Sequence, residues 1–210
     1  TIGATGDERI NDIAVDVNGG IYSIGVFDSQ VDLNPGAAVD THNTNGLDDV
    51  FIQKLDTGGA FLWGKSFGSS SNDNGTSIAR VASGITTVGT FNGSANFDPG
   101  GGLTTLNSNG GQDYFIQTLD TAGVFQWAKS VGGSGTDLAS DVSHDATGNL
   151  YITGYFQNNV DFDTGTSSLS LSSKGSNDIF VQKLNSGGDL VWAISVGGTN
   201  LDFGYSIAVS

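Results

Sequence analysis

Asp113-Tyr114-Phe115-Ile116-Gln117-Thr118-Leu119-Asp120-Thr121-Ala122-Gly123-Val124-Phe125-Gln126-Trp127-Ala128-Lys129-Ser130 decides the fold, because the chain contains it three times. The earlier copy runs from Asp49-Val50-Phe51-Ile52-Gln53-Lys54-Leu55-Asp56 to Trp63-Gly64-Lys65-Ser66, and the later one from Asp178-Ile179-Phe180-Val181-Gln182-Lys183-Leu184-Asn185 to Trp192-Ala193-Ile194-Ser195. The tryptophans stand 64 and then 65 residues apart, and Gly25, Gly89 and Gly154 keep that spacing, as do Asp32, Asn96 and Asp161. Self-similarity at a fixed period is the signature of a repeat architecture. Past Val196 the unit restarts, with Tyr205-Ser206-Ile207-Ala208 answering Thr76-Ser77-Ile78-Ala79.

Each copy divides into four short apolar segments, in the first copy near Asp12–Val17, Ile21–Phe27, Val50–Leu55 and Ala60–Ser66. Their incomplete alternation fits strands buried on both faces. Asp-x-x-Gly turns join the first to the second segment (Asp16 to Gly19, Asp145 to Gly148) and the third to the fourth (Asp56, Asp120, Asn185), where Gly takes the left-handed position. The second copy departs: Val81-Ala82-Ser83-Gly84-Ile85 lacks the Asp and Asn, so this hairpin is shorter. Four antiparallel strands per repeat describe a β-propeller blade. The expectation is an all-β fold with blades at 1–66, 67–130 and 131–195, and the first strand of a fourth at 196–210. Three blades and a strand do not close a ring of the usual four to eight. The chain is therefore expected to be a segment of a longer protein, or a piece that completes itself by association through its terminal strands.

Composition agrees. The chain has 33 Gly and a single glutamate, Glu8, against many Asp residues; Asp and Gly favour turns where Glu and Lys favour helix interiors. Acidic residues outnumber basic ones 22 to 7, a net charge of −15, which argues against nucleic acid and anionic membranes, since both need Lys and Arg. There is no Cys, so disulfides, thiolate metal sites and Cys nucleophiles are excluded. No apolar run approaches the roughly 20 residues of a transmembrane helix. Thr1-Ile2-Gly3-Ala4 shows no basic or hydrophobic leader.

The ordered set running from Asp145-Ala146-Thr147-Gly148-Asn149 through Tyr151-Ile152-Thr153-Gly154-Tyr155-Phe156, Asp161-Phe162-Asp163-Thr164-Gly165 and Asp178 to Leu184, to Trp192-Ala193-Ile194-Ser195, resembles the SBBP-type bacterial β-propeller repeat. The likeness covers essentially the whole chain and is closest in the third copy. It implies a large secreted or surface protein of Bacteroidota-like bacteria, in chains that can carry a type IX secretion signal at the C-terminus.

Four features bear on chemistry. Asp32-Leu33-Asn34, Asn96-Phe97-Asp98 and Asp161-Phe162-Asp163 place oxygen ligands two residues apart before a Gly turn, as calcium loops do. Asp32, Asn34, Asn96, Asp98, Asp161 and Asp163 are thus candidate calcium ligands, one site per blade, with an Asx turn capped by the first residue as the alternative. Gly132 to Asp137 matches one calcium β-roll nonapeptide, but without the tandem copies a roll needs; the acid at its end (Glu8, Asp73, Asp137, Asp202) is expected to bind loop amides instead. Trp63, Trp127 and Trp192 recur at one strand position, which fits packing between blades better than stacking on sugars. His42, expected in a loop, and His144, at a strand end, are the only histidines, and no Gly-x-Ser-x-Gly elbow is present. The expected function is a non-catalytic extracellular or cell-surface scaffold or adhesion module, not an enzyme. Its partner, a protein or a glycan, would meet the long second-to-third connections at 36–47, 100–111 and 165–177. The alternatives are a structural repeat of a self-assembling surface fibre and a carbohydrate-active propeller enzyme.

Overall fold

The computed structural model describes residue 3 and residues 6–209; the leader positions Thr1, Ile2 and Ala4 lie outside the described residues. The first sheet holds β1 (Glu8–Val15), β2 (Ile21–Asp32), β3 (Thr41–Leu55) and β4 (Phe61–Phe67), antiparallel and in that order. The second holds β5 (Asn74–Val81), β6 (Gly84–Phe91), β9 (Asp113–Asp120) and β10 (Phe125–Val131). The third holds β11 (Leu138–His144), β12 (Leu150–Phe156), β15 (Asp178–Leu184) and β16 (Leu190–Val196). Two short ribbons, β7 (Ser94–Asn96) with β8 (Thr105–Asn107) and β13 (Asn159–Asp161) with β14 (Ser170–Ser172), stand in the long connections. The architecture is all-β, with propeller-like blades of four antiparallel strands.

The turns form as their sequences require. Asp16 Oδ1 accepts the amides of Asn18 and Gly20, both at 2.9 Å, while Gly19 adopts φ +83°. Asp56, Asp120, Asp145 and Asn185 repeat the arrangement, with Gly59, Gly123, Gly148 and Gly188 likewise at positive φ. The side-chain oxygen holds the turn amides and glycine supplies the left-handed residue.

The core lies between the sheets. Tyr22, Ile24, Val50 and Ile52 of the first meet Ile78, Ile85, Phe91 and Phe115 of the second. Val88, Tyr114 and Ile116 of the second meet Val142, Leu150, Ile152 and Phe180 of the third. The tryptophans belong to these junctions: the turn at Gly123 lies against Trp63 and that at Gly188 against Trp127, so that an added Cβ would stand about 3 Å from each ring. Trp192 has no following turn upon it and is 37% exposed.

The first strands of successive blades run side by side. Asp12 Oδ2 accepts from Ser77 Oγ at 2.8 Å and from the Ile78 amide at 2.9 Å. Asp141 Oδ2 accepts from Ser206 Oγ at 2.8 Å and from the Ile207 amide at 2.7 Å. The stretch after Val196 therefore lies on the third blade as β5 lies on the first, although it is not itself paired into a sheet.

Two expectations need correction. β1 begins at Glu8, four residues before the expected Asp12. The long connection of the first copy is also largely strand: β2 runs on to Asp32 and β3 starts at Thr41, pairing Gln30 with Asn43, Val31 with His42 and Asp32 with Thr41. His42 therefore sits in a strand, not a loop. The same ladder survives in the other copies as the two ribbons, because the inward residue of each, Val31, Ala95 or Val160, is buried.

The acid closing each inter-blade loop binds backbone amides. Asp73 accepts from Ser69 and Asn92, Asp137 from Gly133 and Gln157, and Asp202 from Gly198. Beside each lies a second buried carboxylate, Asp49, Asp113 or Asp178, whose Oδ1 has no hydrogen-bond partner and would stand 2.3 to 2.7 Å from a Cβ added at Gly68, Gly132 or Gly197. Burial, with a smaller push from Asp73 and Asp137, raises Asp49 and Asp113 to about 6; burial raises Asp73 and Asp137 as well. These four acids hold their protons more tightly folded than unfolded. For Asp49 and Asp113 that contribution is fully present below the unfolded carboxylate value near 4 and is lost as pH rises through about 6. His144, lowered chiefly by burial, opposes this below its ordinary value as the unfolded chain takes up the proton. With Asp49 and Asp113 against one histidine, the melting temperature is expected to rise between pH 7 and pH 5. Asp49→Asn/Asp113→Asn should flatten that slope in thermal melts across pH, and an unchanged slope would refute the assignment.

Candidate functional site

By the antiparallel order, the three second-to-third connections leave the sheets at one end, opposite the Asp-x-x-Gly turns. Each opens on the same double Asx turn. Asp32 Oδ1 accepts the Asn34 amide at 3.0 Å and reaches across the loop neck to the Asp40 amide at 2.9 Å. Asn96 Oδ1 does the same with Asp98 and Thr104, and Asp161 Oδ1 with Asp163 and Leu169. The second residue then caps the turn, with Asn34, Asp98 and Asp163 accepting from Gly36, Gly100 and Gly165. Between them Leu33, Phe97 and Phe162 are fully buried and anchor the loop to the core.

This geometry bears on the candidate calcium ligands. Asn replaces Asp at the first position of the second copy and at the second position of the first, so the shared property is an oxygen that accepts amides rather than a charge. The Asp40 and Asn34 amides hold the Asp32 carboxyl below its ordinary value. At Asp161 burial pushes upward, but the Asp163 and Leu169 amides outweigh it and the carboxyl is again lowered. Among the described residues no three His, Asp or Glu side chains converge as a metal site. Two side chains per loop, each with one oxygen engaged by amides, offer few of the six to eight oxygens calcium takes.

The loops emerge on a rigid frame but differ in content. The first passes through Gly36-Ala37-Ala38-Val39, the second through Gly100-Gly101-Gly102-Leu103 and the third through Gly165-Thr166-Ser167-Ser168. Val39 and Leu103 occupy equivalent positions and are 73% and 83% exposed. In the expected binding stretches 36–47, 100–111 and 165–177, the strand segments from Thr41, in β8 and in β14 leave mainly these tips free.

The structure also brings together a trio that sequence spacing does not reveal. His42 places Nδ1 2.9 Å from Ser66 Oγ and Nε2 3.1 Å from Asp40 Oδ2. A nucleophile, a base and an orienting acid would share such contacts. Ser66, however, lies within β4 rather than on an exposed elbow and recurs as Ser130 and Ser195, whereas the equivalents of His42 are Leu106 and Leu171. Four clefts of about 230 to 430 Å³ are lined by other residues. The arrangement ties the edge strand to the loop neck.

No family model matches the chain. It is 28% identical over 209 residues to an uncharacterized WD repeat-containing protein of Acanthamoeba polyphaga mimivirus, covering 86% of this chain and 14% of that protein. It is 26% identical over 122 residues to the regulatory protein FlaEY of Caulobacter vibrioides, covering 58% of this chain and 13% of that protein. The chain thus spans a small part of the relatives it matches. The likeness to a WD repeat-containing protein agrees with a β-propeller repeat.

Proposed function

We propose that the chain is a run of blades from a secreted or cell-surface β-propeller of the SBBP type, non-catalytic, which serves as a scaffold and meets a protein or glycan partner through its loop-bearing rim. The observation that carries this reading is the identical double Asx turn at the neck of three connections whose tips differ, a fixed frame presenting variable surface. Exposed Val39 and Leu103 would supply its apolar contacts. The test is retention of the purified chain on a glycan array and on a panel of extracellular matrix proteins. Binding to at least one component is expected, reduced tenfold or more by Val39→Ser/Leu103→Ser with an unchanged melting temperature. No binding, or binding indifferent to the substitutions, would overturn the rim assignment, and labelling of Ser66 by a fluorophosphonate would overturn the non-catalytic one.

A second reading, a structural repeat of a self-assembling surface fibre, is favoured by the two end sheets. Ile10, Ile13 and Val15 on β1 are 47%, 57% and 54% exposed, and Ile194 and Val196 on β16 are 50% and 57% exposed. At inner junctions Ile78, the equivalent of Ile13, and Phe67 and Val131, the equivalents of Val196, are at most 4% exposed. Further blades of the same repeat fit both faces.

A further inference from the structure

The blade junctions are near copies, so a place where one breaks the pattern marks a local specialisation. In the first blade the space beside the Asp16 turn is filled. Tyr22 is fully buried, and Lys54 Nζ lies 4.6 Å above its ring, 3.8 Å from Asp16 and 2.9 Å from the Thr121 carbonyl of the next blade. The third blade carries the same trio, with Lys183 Nζ 4.7 Å above Tyr151 and 3.7 Å from Asp145. The second blade lacks all three members. Its hairpin is cut to Val81-Ala82-Ser83-Gly84, Thr86 stands in the place of Tyr22, and Thr118 stands in the place of Lys54. Three reductions in volume coincide at one junction.

What they leave is a cleft of about 340 Å³ between the second and third blades, whose lining includes Ser83, Thr86, Thr118, Gln126, Trp127 and His144. His144 Nε2 is 3.0 Å from Thr86 Oγ1, while its Nδ1 is buried away from solvent. Burial lowers the imidazole below its ordinary value, so the ring is neutral at pH 7. The one carboxylate at the rim, Asp120, is occupied by the amides of Ala122 and Val124. The lining thus has no cation to hold an anion, and its acid is taken by the turn, while the net charge of −15 repels anions generally. It does combine an indole with hydroxyls and an amide. Such a wall suits a ligand with one apolar face and a hydroxylated edge.

We propose that this cleft binds a single uncharged polyhydroxylated ring, a pyranose unit, between Trp127 and the Thr86–His144 pair. Its volume is at the small end of the roughly 300–1,000 Å³ of small-molecule pockets, which suits one ring. The cleft opens among the Asp-x-x-Gly turns, at the end of the sheets opposite the long loops, so it is independent of the rim described above.

With only two histidines in the chain, the ring-proton NMR signals of His144 and His42 provide a reporter and an internal control. Methyl glucoside, galactoside and mannoside and N-acetylglucosamine are titrated into the whole chain. At least one is expected to shift His144 saturably, with a Kd of about 1 mM or tighter, and to leave His42 unmoved. Thr86→Tyr/Thr118→Lys rebuilds the filling of the first blade and should weaken that binding tenfold or more at an unchanged melting temperature. Gln126→Ala, at an exposed position that leaves the core intact, should weaken it even if the double variant misfolds. Absence of any shift across the panel would overturn the proposal, as would a shift that survives both the filled variant and Gln126→Ala.

Discussion

Gly89→Ala is expected to lower the melting temperature by roughly 10 °C, corresponding to about 3 kcal/mol or more in a chain of this size. Gly89 lies opposite the bulge between Gly75 and Ser77, where the first strand of the blade gains a residue. A Cβ there would stand 2.0 Å from the Asn74 carbonyl oxygen and 2.7 Å from the Phe115 ring. Gly25 and Gly154 meet Arg9 and Leu138 in the same way, at 2.0 and 1.8 Å. The obstacle is backbone, so no side-chain rotation relieves it, and the bulge that holds the inner strand must open. Gly198→Ala is the control. A Cβ there meets nothing within 4 Å, and the change should stay within about 0.5 kcal/mol. Urea denaturation of the two variants measures the difference. Equal midpoints would mean that the inner strands are not held as described.

Gln117→Leu should destabilise by about 2–3 kcal/mol despite adding an apolar group to a fully buried position. Gln117 Nε2 donates to the Phe97 carbonyl at 2.7 Å, and Gln182 to that of Phe162 at 2.8 Å; Gln53 donates to that of Leu33. The acceptor in each case belongs to the buried residue inside the double Asx turn, so one amide secures the root of each long loop. Leucine would strand the Phe97 carbonyl in the core and remove the Thr87 hydroxyl's contact with Gln117 Oε1 at 3.3 Å. Amide hydrogen exchange should rise first at residues 97–104, before global unfolding. Wild-type protection there would contradict this role.

The glutamines show where sequence was informative and where it fell short. The position is plain in each copy, but its partner lies 20 residues back across the blade, beyond any local period. The blades were legible because strand and turn are written in short-range chemistry: apolar segments of fixed length and an Asp-x-x-Gly at each hairpin. The extension of β3 back to Thr41 was hidden, since Thr, Asn and Gly read as loop until Val31 is seen buried beneath them. The meeting of His42 with Ser66 depends on two strands lying side by side, and no spacing encodes it. The Asp-x-Asn and Asn-x-Asp turns were recognisable, and backbone amides at 2.8 to 3.1 Å show the first residue capping its turn. The shortened second hairpin was visible too. Its meaning needed the concurrent losses at Thr86 and Thr118, which only the assembled junction places together.

The contact along the innermost strands has a period of two repeats. The positions Asp12, Ser77, Asp141 and Ser206 alternate carboxylate with hydroxyl, and Ser77 Oγ sits 2.8 Å from Asp12 and 2.9 Å from Asp141, one proton between two acids. An alternation with a period of two repeats returns to itself only over an even count. A ring of five or seven blades would set carboxylate against carboxylate, or hydroxyl against hydroxyl, at one seam. A closed ring that repeats this alternation without a break holds an even number of blades, four, six or eight.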